Sequence, residues 1–512
     1  MDRGIGYWLS RRAEITPLRR ALVFEERSWT YGEWNAEVQR VRHALRAAGV
    51  GAGDRVAALT FNEPEFLTLA FACWQSGVIF LPLNFRLSPP ELAFMLRDAG
   101  VHTLLCGGDF TAAIDTIRLE IPVRRFVCLR PAARWTSWED FVGGMPEAGW
   151  THPVRDDEVA LVMYTSGTTG LPKGAMLTHA NIFWNNVNAM HAFEFADDER
   201  TLVCAPLFHI GGLNVTPLAT IQRGGTVFLM RSFDAEGVLD RIERHRITSL
   251  FGVPAMFLFM SQTPRFAQRD LSSIRTVICG GAPVPESLIE TYGGRGIDFL
   301  QGYGLTETSP FCTLLPREDL RRKIGSAGVA TMYTQVRVVD EQNRPVCPGT
   351  RGEIVARGPN VMKGYWNRPE ATSEVIDPEG WFHTGDIGMQ DNEGYFYVLD
   401  RKKDMVITGG ENVYPAEVEA VLYQMPGIAE AGVIGLPDER WGERVVAVVV
   451  AAPGASLTAE QVIAFTEGRL ARYKMPRQVE FVGSLPRNPQ GKLLKRVLRE
   501  MFAPARAVSA HR

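Results

Sequence analysis

The feature that most constrains this chain is a run of glycines and hydroxyl side chains closed by a lysine, YTSGTTGLPKG at residues 164–174. It lies between two short apolar segments, 159–164 and 175–177, which predict β-strands. Glycines let successive backbone N–H groups converge on an anion, and the hydroxyls and the Lys173 ammonium add donors. The pattern therefore predicts a phosphate-binding loop between two strands. It is not a Walker A loop, because Pro172 precedes the lysine.

Two later segments carry groups that a nucleotide site uses. Residues 301–308, QGYGLTET, place an aromatic ring between glycines, where it can stack on a base, and a Thr–Glu pair whose oxygens suit Mg²⁺. Residues 381–386, WFHTGD, contain a Gly–Asp turn that can offer a carboxylate to ribose hydroxyls. Each segment alone is equally compatible with an ordinary turn.

Two further segments lie near the C-terminal end. Residues 409–415, GGENVYP, form a glycine-rich approach to a helix that starts near Pro415. Residues 486–492, PRNPQGK, form a turn that places one lysine ahead of a terminal helix starting near Lys492. The alternative for residues 409–415 is an ordinary helix cap, and the alternative for residues 486–492 is a turn whose lysine is merely solvated.

The distribution of apolar residues predicts an α/β protein. Helices alternate with short apolar strands through about residue 300, which indicates largely parallel sheets covered on both faces. Between 325 and 398 the strands shorten and turns become frequent, so a small antiparallel barrel or sheet is expected. The charged cluster 400–404 is interpreted as a domain boundary, followed by a compact α+β module of about 110 residues.

Charge and hydropathy exclude several partner classes. The chain has 55 basic and 58 acidic residues, so it has no overall positive field for nucleic acid or an anionic membrane. The longest apolar run, 250–260, is shorter than the roughly 18–20 residues of a membrane helix. The first residues lack the apolar core of a signal peptide, and a cytoplasmic protein without nucleic-acid or membrane partners is predicted.

Taken together, the five segments, in this order and spacing, resemble the adenylate-forming superfamily of acyl-CoA synthetases, luciferases and peptide-synthetase adenylation domains. The resemblance covers almost the whole chain. It is strongest toward bacterial fatty-acyl-CoA and aryl-CoA ligases in residues 364–372, GYWNRPEAT, and 435–443, GLPDERWGE. It implies that a carboxylic acid attacks MgATP to give acyl-AMP and pyrophosphate, and that CoA then takes the acyl group and releases AMP.

The resemblance also implies a role for individual residues. The ATP-binding residues it implies are Thr165, Ser166, Gly167, Thr168, Thr169, Gly170 and Lys173 at the β- and γ-phosphates, Thr306 at the α-phosphate, Gly281, Ala282, Pro283 and Tyr303 at adenine, and Asp386 and Arg401 at the ribose. Glu307 and Thr165 would hold Mg²⁺. The catalytic residues it implies are Lys492, Glu307, Thr165 and His209. Lys492 would bridge the attacking carboxylate and the α-phosphate.

The remaining implied residues surround the acid and CoA. The acyl pocket would be lined by Phe208, His209, Gly211, Leu213, Gly280 and Gly304, with His209 gating the pocket or orienting the carboxylate. The CoA side would use Gly409, Gly410, Trp441 and Arg86, with Arg477 as a further candidate. The family alternates a mobile C-terminal domain between its half-reactions. The implied division is an AMP-binding domain at 1–399 and a mobile domain at 400–512 that carries Lys492 and hinges at Asp400.

The acid and the acceptor are less constrained. Residues 202–216 contain no Asp or Glu to pair with an α-ammonium, which disfavours an amino acid, and the apolar wall segments favour a fatty or aryl acid. Residues 193–200 are acidic where some long-chain relatives carry a basic membrane-docking patch, so a soluble enzyme, a monomer or homodimer, is predicted. The alternatives are an amide synthetase or a carrier-protein acyl loader using the same adenylate, and a catalytically silent binding protein. The presence of Lys173, Glu307, Asp386 and Lys492 argues against the last.

Overall fold

A computed structural model describes residues 4–150, 152–165, 171–193, 195–282, 284–409, 411–487 and 493–502. The chain divides into two compact units. The first comprises residues 1–337, 355–383 and 394–396, and the second comprises 338–354, 384–393 and 397–512. Among the described residues, no helix combines the length and the apolarity needed to cross a bilayer.

The α-helices of the described residues follow in chain order. They are α1 (Tyr7–Ile15), α2 (Tyr31–Ala47), α3 (Pro64–Trp74), α4 (Pro89–Asp98), α5 (Thr111–Ile117), α6 (Trp138–Val142), α7 (His179–Ala192), α8 (Ile210–Asn214), α9 (Pro217–Arg223), α10 (Ala235–His245), α11 (Pro254–Ser261), α12 (Glu286–Gly293), α13 (Pro369–Val375), α14 (Pro415–Leu422), α15 (Ala459–Thr466) and α16 (Lys495–Phe502).

The β-strands of the same residues form four sheets. They are β1 (Arg20–Phe24), β2 (Arg27–Thr30), β3 (Arg55–Leu59), β4 (Ile79–Pro82), β5 (Thr103–Cys106), β6 (Arg125–Cys128), β7 (Thr136–Ser137), β8 (Val159–Thr165), β9 (Lys173–Thr178), β10 (Arg200–Val203), β11 (Thr226–Leu229), β12 (Ser249–Gly252), β13 (Thr276–Gly280), β14 (Phe299–Gly304), β15 (Phe311–Leu314), β16 (Val329–Ala330), β17 (Gln335–Val339), β18 (Gly352–Arg357), β19 (Gly364–Tyr365), β20 (Phe382–Gln390), β21 (Phe396–Arg401), β22 (Val406–Thr408), β23 (Glu411–Val413), β24 (Ile428–Asp438), β25 (Gly442–Ala451) and β26 (Gln478–Phe481).

Two large sheets organise the first unit. One has the strand order β16-β15-β14-β13-β12-β10-β11-β1-β2, and the other β19-β9-β8-β4-β3-β5-β6-β7. The inner strands run parallel, as in the pairs β13–β14 and β3–β4, and they are buried on both faces. Strands connected by helices and buried in this way read as continuous apolar runs, which is why the sequence predicted them. The expected α/β fold with two layered sheets is confirmed.

The region of short strands forms a third sheet. Its order is β17-β18-β20-β21, a four-stranded sheet drawn from the residues where the sequence predicted a small barrel or sheet. The second unit also contains a sheet of order β23-β22-β25-β24, with β26 paired to β25. Its core is built from valines of β25 and of α14 and α15, which gives the compact α+β module that the sequence predicted.

Local signals set several helix boundaries. Thr30 and Glu33 form a capping box that begins α2, and Thr458 and Gln461 form one that begins α15. The terminal helix is a partial correction, because α16 begins at Lys495 and not near Lys492. Leu493 pairs with Arg487 in an isolated antiparallel β-bridge, so this residue is not yet helical.

Candidate active site

The predicted phosphate loop joins two antiparallel strands. In the register of β8 and β9, Thr165 lies opposite Lys173, and Tyr164 lies opposite Gly174. Both ends of the loop are therefore held as neighbouring residues of one sheet. Five of its predicted members, Ser166, Gly167, Thr168, Thr169 and Gly170, lie outside the described residues.

Next to this hairpin lies the carboxylate of Glu307, which is only 7% exposed. Glu307 Oε1 accepts a hydrogen bond from Thr165 Oγ1 at 3.2 Å and another from Tyr365 Oη at 2.9 Å. The ammonium of Lys173 lies 5.3 Å from the centre of the Tyr365 ring. Strand β19 pairs with β9, so that Tyr365 lies opposite Ala175. The fold thus brings together a carboxylate, two hydroxyls and an ammonium that are far apart in the sequence.

Asp98, at the end of α4, binds both Tyr164 in β8 and the segment 366–368 that follows Tyr365. Its carboxylate accepts hydrogen bonds from Tyr164 Oη at 2.7 Å and from an Arg368 guanidinium nitrogen at 2.8 Å. Its backbone carbonyl accepts from Trp366 Nε1 at 3.2 Å and from Asn367 Nδ2 at 3.1 Å. Burial, and then the bond to Asp98, raises the pKa of the Tyr164 phenol above its usual value. Asp98 therefore ties the residue before the loop to the segment that carries Tyr365.

The residues predicted to surround adenine meet at one sheet edge. Strands β13 and β14 are parallel neighbours, and Gly280 pairs with Gly302, so Gly281 and Tyr303 follow at their carboxyl ends. Gly281 has a φ of +82°, a backbone conformation that favours glycine. Ligands of parallel sheets bind at this edge. Ala282 follows Gly281, whereas Pro283 lies outside the described residues.

Thr306 and Glu307 continue from the same strand end. They belong to a short 3₁₀ helix, Thr306–Thr308, directly after β14 and Leu305. Gly304 closes β14 so tightly that a Cβ there would meet the Pro310 carbonyl oxygen at 1.6 Å. Only glycine fits at this position, which explains the Gly–Leu–Thr–Glu order of the motif.

In the second unit, Asp386 and Arg401 form an ion pair. Asp386 Oδ1 lies 2.6 Å from Arg401 Nε, and the Asp386 side chain is 4% exposed. Gly385, with a φ of +70°, donates its N–H to Glu353 at 3.1 Å, and the Asp386 N–H is bound by Thr384 Oγ1 at 3.1 Å. The predicted Gly–Asp turn is wrong, because Gly385 and Asp386 lie within strand β20. The two residues that the resemblance assigned to the ribose therefore lie together, on a strand whose hydrogen bonds fix the position of Asp386.

His209 precedes α8 and lies against an aromatic cluster. Its ring centre is 4.2 Å from that of Phe208, which in turn packs edge-on against Phe85 at 5.0 Å. Its Nε2 is buried and has no hydrogen-bond partner among the described residues. Burial, reinforced by the positive charge of Arg86, lowers the pKa of His209 to about 3. The imidazole is therefore neutral at ordinary pH, with one nitrogen available to a ligand.

Two glycines of the predicted acyl pocket pack closely against the Phe251 ring. A Cβ at Gly211 would meet Phe251 Cζ at 2.7 Å, and one at Gly280 would meet Phe251 Cε2 at 3.8 Å. Phe251 thus lies between two predicted pocket residues from different elements. Leu213 is fully buried within the hydrophobic core of the first unit, and its place in the acyl pocket stays a prediction.

Part of the predicted CoA side assembles within the second unit. The Gly409 N–H donates to the Trp441 carbonyl at 2.7 Å, and a Cβ at Gly409 would meet Trp441 Cε3 at 2.9 Å. The Arg477 guanidinium carbon lies 4.7 Å from the Trp441 ring centre. Arg86 belongs to the first unit, next to His209, and Gly410 lies outside the described residues.

The predicted hinge residue is bound on both sides by its own unit. Asp400 Oδ2 accepts the N–H of Ala416 at 2.7 Å, at the start of α14. Lys495 Nζ lies 4.0 Å from Asp400 Oδ1 and 2.9 Å from Glu419 Oε1. Asp400 is therefore coupled to both ends of the C-terminal module. Lys492, three residues before Lys495, lies outside the described residues.

Sequence reasoning missed Tyr365, Asp98 and Phe251 as individual site residues. Tyr365 lies within the 364–372 segment that carried the resemblance, which is the one signal that could have identified it. Asp98 ends an ordinary amphipathic helix and has no local signal. Phe251 lies in an apolar segment that reads equally well as core.

The fold and this arrangement of loop, carboxylate and adenine edge define an ATP-using enzyme that activates its substrate on a nucleotide. Family models agree with this class: the model described as AMP-binding enzyme matches residues 9–366, and that of the AMP-binding enzyme C-terminal domain matches 417–492. The chain belongs to the AMP-binding enzyme family. The predictions of an adenylate-forming fold and of an acid–thiol ligase that uses ATP, Mg²⁺ and CoA are confirmed.

Individual relatives cover nearly the full length. The feruloyl-CoA synthase of Amycolatopsis sp is 47% identical over 501 residues, which cover 98% of this chain and 99% of that protein. The solved structure of ATP-bound MatB from Rhodopseudomonas palustris matches with a TM-score of 0.91 and 36% identity, over 98% of this chain and 99% of that one. A fatty acyl CoA synthetase from Mycobacterium tuberculosis matches with a TM-score of 0.80 and 39% identity, over 98% of both chains.

Proposed function

We propose that this enzyme activates an aromatic carboxylic acid with MgATP and transfers the acyl group from the adenylate to CoA. The observation that carries the first half-reaction is the group formed by Thr165, Lys173, Glu307 and Tyr365. In this reaction the protein acts mainly by positioning the reactants and stabilising charge, and these residues supply the donors and the acceptor for it.

The donor set at Glu307 fits a magnesium ion. Glu307 and Thr165 offer a carboxylate and a hydroxyl 3.2 Å apart, and hard oxygen ligands of this kind suit Mg²⁺. In this proposal both residues would hold the metal. The ion would neutralise phosphate charge, while Lys173 and the backbone of the loop bind the terminal phosphates.

The acid is proposed to be aromatic because of the surfaces that converge near His209. Phe251, the glycines beside it and the His209 ring form flat or side-chain-free walls, which suit a planar ring better than a flexible chain. The neutral His209 would orient the carboxylate through its unpartnered nitrogen. The 47% identity to a feruloyl-CoA synthase supports the same class.

The acceptor is proposed to be CoA. A small surface of the second unit is formed by Gly409, Trp441 and Arg477. Gly409 would let the pantetheine arm come close to the backbone, the Trp441 ring would pack against that arm, and the Arg477 guanidinium would bind a phosphate of CoA. We further propose that residues 400–512 move as a domain hinged at Asp400. Lys492 would then serve the adenylation step alone, and the Gly409 surface the thioester step.

Mass spectrometry of the products tests the proposal. The enzyme is incubated with MgATP and matched sets of cinnamic, indolic and straight-chain fatty acids, each with CoA, without CoA and with a simple amine. We expect AMP and an aryl-CoA thioester as the principal products. Preferential turnover of fatty acids would overturn the assignment of an aromatic acid. If acyl-AMP persists in the presence of CoA but yields an amide with the amine, the acceptor is an amine and not CoA.

A further inference from the structure

A cationic cavity lies at the amino-terminal edge of the nine-stranded sheet. It encloses about 400 Å³ and is lined by Arg20, Arg200, Thr226, Phe228, Arg244 and His245. Strands β1, β10 and β11 are parallel and begin at three of these residues, with Arg200 opposite Thr226. The adenine residues Gly281 and Tyr303 lie at the carboxyl ends of β13 and β14, on the opposite edge of this sheet. The cavity is therefore separate from the nucleotide site.

The charge in this cavity is positive and poorly compensated. Arg20, Arg200 and Arg244 come from three different elements. The acidic groups near them among the described residues are Glu26, 3.7 Å from Arg244 and 85% exposed, and Asp198, whose carboxylate interacts with Arg200 but is paired with Arg275. The pKa of His245 is lowered, first by partial burial and then by the charges of Arg244, Arg241 and Arg20, with Glu26 opposing them. A chain of net charge −3 thus concentrates several guanidinium groups around one hollow.

The end of a helix explains only part of this cluster. Arg244 and His245 occupy the last turn of α10, where basic side chains favourably meet the helix dipole. Arg200 also meets this helix end, because it donates to the His245 carbonyl at 3.2 Å and so occupies an acceptor that would otherwise face an anion. Arg20 begins strand β1, and the helix dipole does not explain its place in the cluster.

The chemistry of the lining identifies the ligand class. Guanidinium groups bind phosphoryl oxygens in pairs of hydrogen bonds. The Thr226 hydroxyl donates to the Arg20 carbonyl at 2.9 Å and thereby anchors the backbone of that arginine at the cavity wall. Phe228 and His245 form a partly aromatic wall, with ring centres 4.9 Å apart. We propose that this cavity is a second binding site, which takes a small molecule bearing a phosphoryl or diphosphate group. Its concave form favours a free phosphate compound over a membrane surface.

Equilibrium dialysis with radiolabelled inorganic pyrophosphate tests this site. Magnesium is omitted, and AMP is present at saturation. Because AMP leaves the proposed site of the β- and γ-phosphates open, each protein is measured with and without the added substitution Lys173→Ala. The test variant is Arg20→Ala with Arg244→Ala. The control is Arg11→Ala with Arg97→Ala, which removes the same charge from exposed ion pairs with Glu14 and Glu120. Neither pair belongs to the proposed catalytic machinery, so turnover should match that of the unchanged enzyme and report correct folding.

We expect pyrophosphate binding that persists with Lys173→Ala, weakened at least about tenfold in the test variant and unchanged in the control. The binding should also weaken as sodium chloride is raised, because the site is accessible to solvent. Absence of binding in the Lys173→Ala proteins, or equal affinity with and without the test substitutions, would overturn the proposal. Arginine-dependent sedimentation with phosphatidylglycerol vesicles in the absence of pyrophosphate binding would also overturn it, and would assign these arginines to a lipid surface.

Discussion

The phenol of Tyr365 donates a hydrogen bond of 2.9 Å to the buried carboxylate of Glu307. The two residues lie 58 positions apart, and strand β19 brings them together by pairing with β9. The bond restrains the carboxylate proposed to hold Mg²⁺, and it engages only one of the two carboxylate oxygens, Oε1. Preorganisation of this kind contributes when charge develops in the transition state.

Tyr365→Phe should therefore slow adenylation and raise the Mg²⁺ concentration needed for half-maximal rate. A hydrogen bond to a charged group contributes about 1.5–3 kcal/mol, so ATP–pyrophosphate exchange should fall about tenfold or more. Tyr423→Phe, on a half-exposed tyrosine of the second unit, is the control. Unchanged exchange and an unchanged Mg²⁺ requirement in Tyr365→Phe would remove the positioning role.

Asp98→Ala should weaken ATP binding indirectly, through the residues that Asp98 holds in place. It leaves the Tyr164 hydroxyl and the Arg368 guanidinium without their carboxylate, which should lower the free energy of unfolding by about 1–3 kcal/mol. The KM for ATP should rise more than the KM for the acid, because Tyr164 directly precedes the phosphate loop. Asp98→Asn keeps the shape and an acceptor, and should restore most of both quantities. Equal rises in the two KM values would indicate a purely structural role.

Lys492→Ala should separate the two half-reactions. Loss of one electrostatic donor typically costs about 10²–10³ in rate, so ATP–pyrophosphate exchange should fall by that factor. Transfer from chemically prepared acyl-AMP to CoA should persist, because the lysine is proposed to serve the first step alone. Lys363→Ala, on an exposed lysine that contacts the Asp157 carbonyl, is the control. Parallel loss of both half-reactions would contradict the division of labour.

Gly409→Ala should impair the thioester step and spare adenylation, which is the reverse of the effect expected for Lys492→Ala. The φ of Gly409 is +61°, and an added Cβ would press against the Trp441 ring. We expect thioester formation to slow while ATP–pyrophosphate exchange is retained. Gly454→Ala is the matched control, because its φ is also positive, at +80°, and nothing lies within 4 Å of its Cβ position. A loss of exchange in Gly409→Ala without loss of stability would place this glycine in the adenylation step.

The dependence of the free energy of unfolding on pH should reveal the lowered pKa of His209. Burial lowers its pKa to about 3, whereas the unfolded chain has an ordinary histidine, so the unfolded state binds more protons between these values. Stability is then fully present above about pH 6.5 and declines as the pH falls toward 3. The contribution lost at pH 5 is about 2 kcal/mol, at 1.36 kcal/mol per pH unit.

His209→Phe should flatten that dependence, as measured by urea unfolding at pH 7 and pH 5. His179, whose pKa burial lowers to about 4, provides a comparison with a histidine remote from the proposed acid site. His209→Phe should alter turnover as well as the pH slope, whereas His179→Asn should alter only the slope. Identical slopes in His209→Phe and the unchanged enzyme would contradict the assignment of a neutral buried imidazole.

The sequence predicted the features that depend on neighbours along the chain. The strands on both sides of the phosphate loop, the helix start at Pro415 and the capping box at Thr458 all follow from short patterns. These signals act over a few residues, because backbone conformation and helix capping are local.

Contacts between distant segments could not be predicted in the same way. Arg368 and Asp98 are 270 residues apart, and nothing in the periodicity around either residue encodes the pair. The same holds for the unpartnered nitrogen of His209, since burial depends on packing from several elements. The start of α16 differs from the prediction for a related reason, because Leu493 takes part in a β-bridge with Arg487.

The hairpin that holds Thr165 opposite Lys173 has a practical consequence for engineering. A segment whose two ends are adjacent in a sheet can be exchanged as a cassette, because its replacement needs to match only those two anchor points. Replacing residues 166–172 with those of a relative should therefore change the affinity for the nucleotide that this loop is proposed to bind. The proposed acid pocket would not have to be redesigned. Nucleotide preference and acid preference could then be selected in separate libraries and combined.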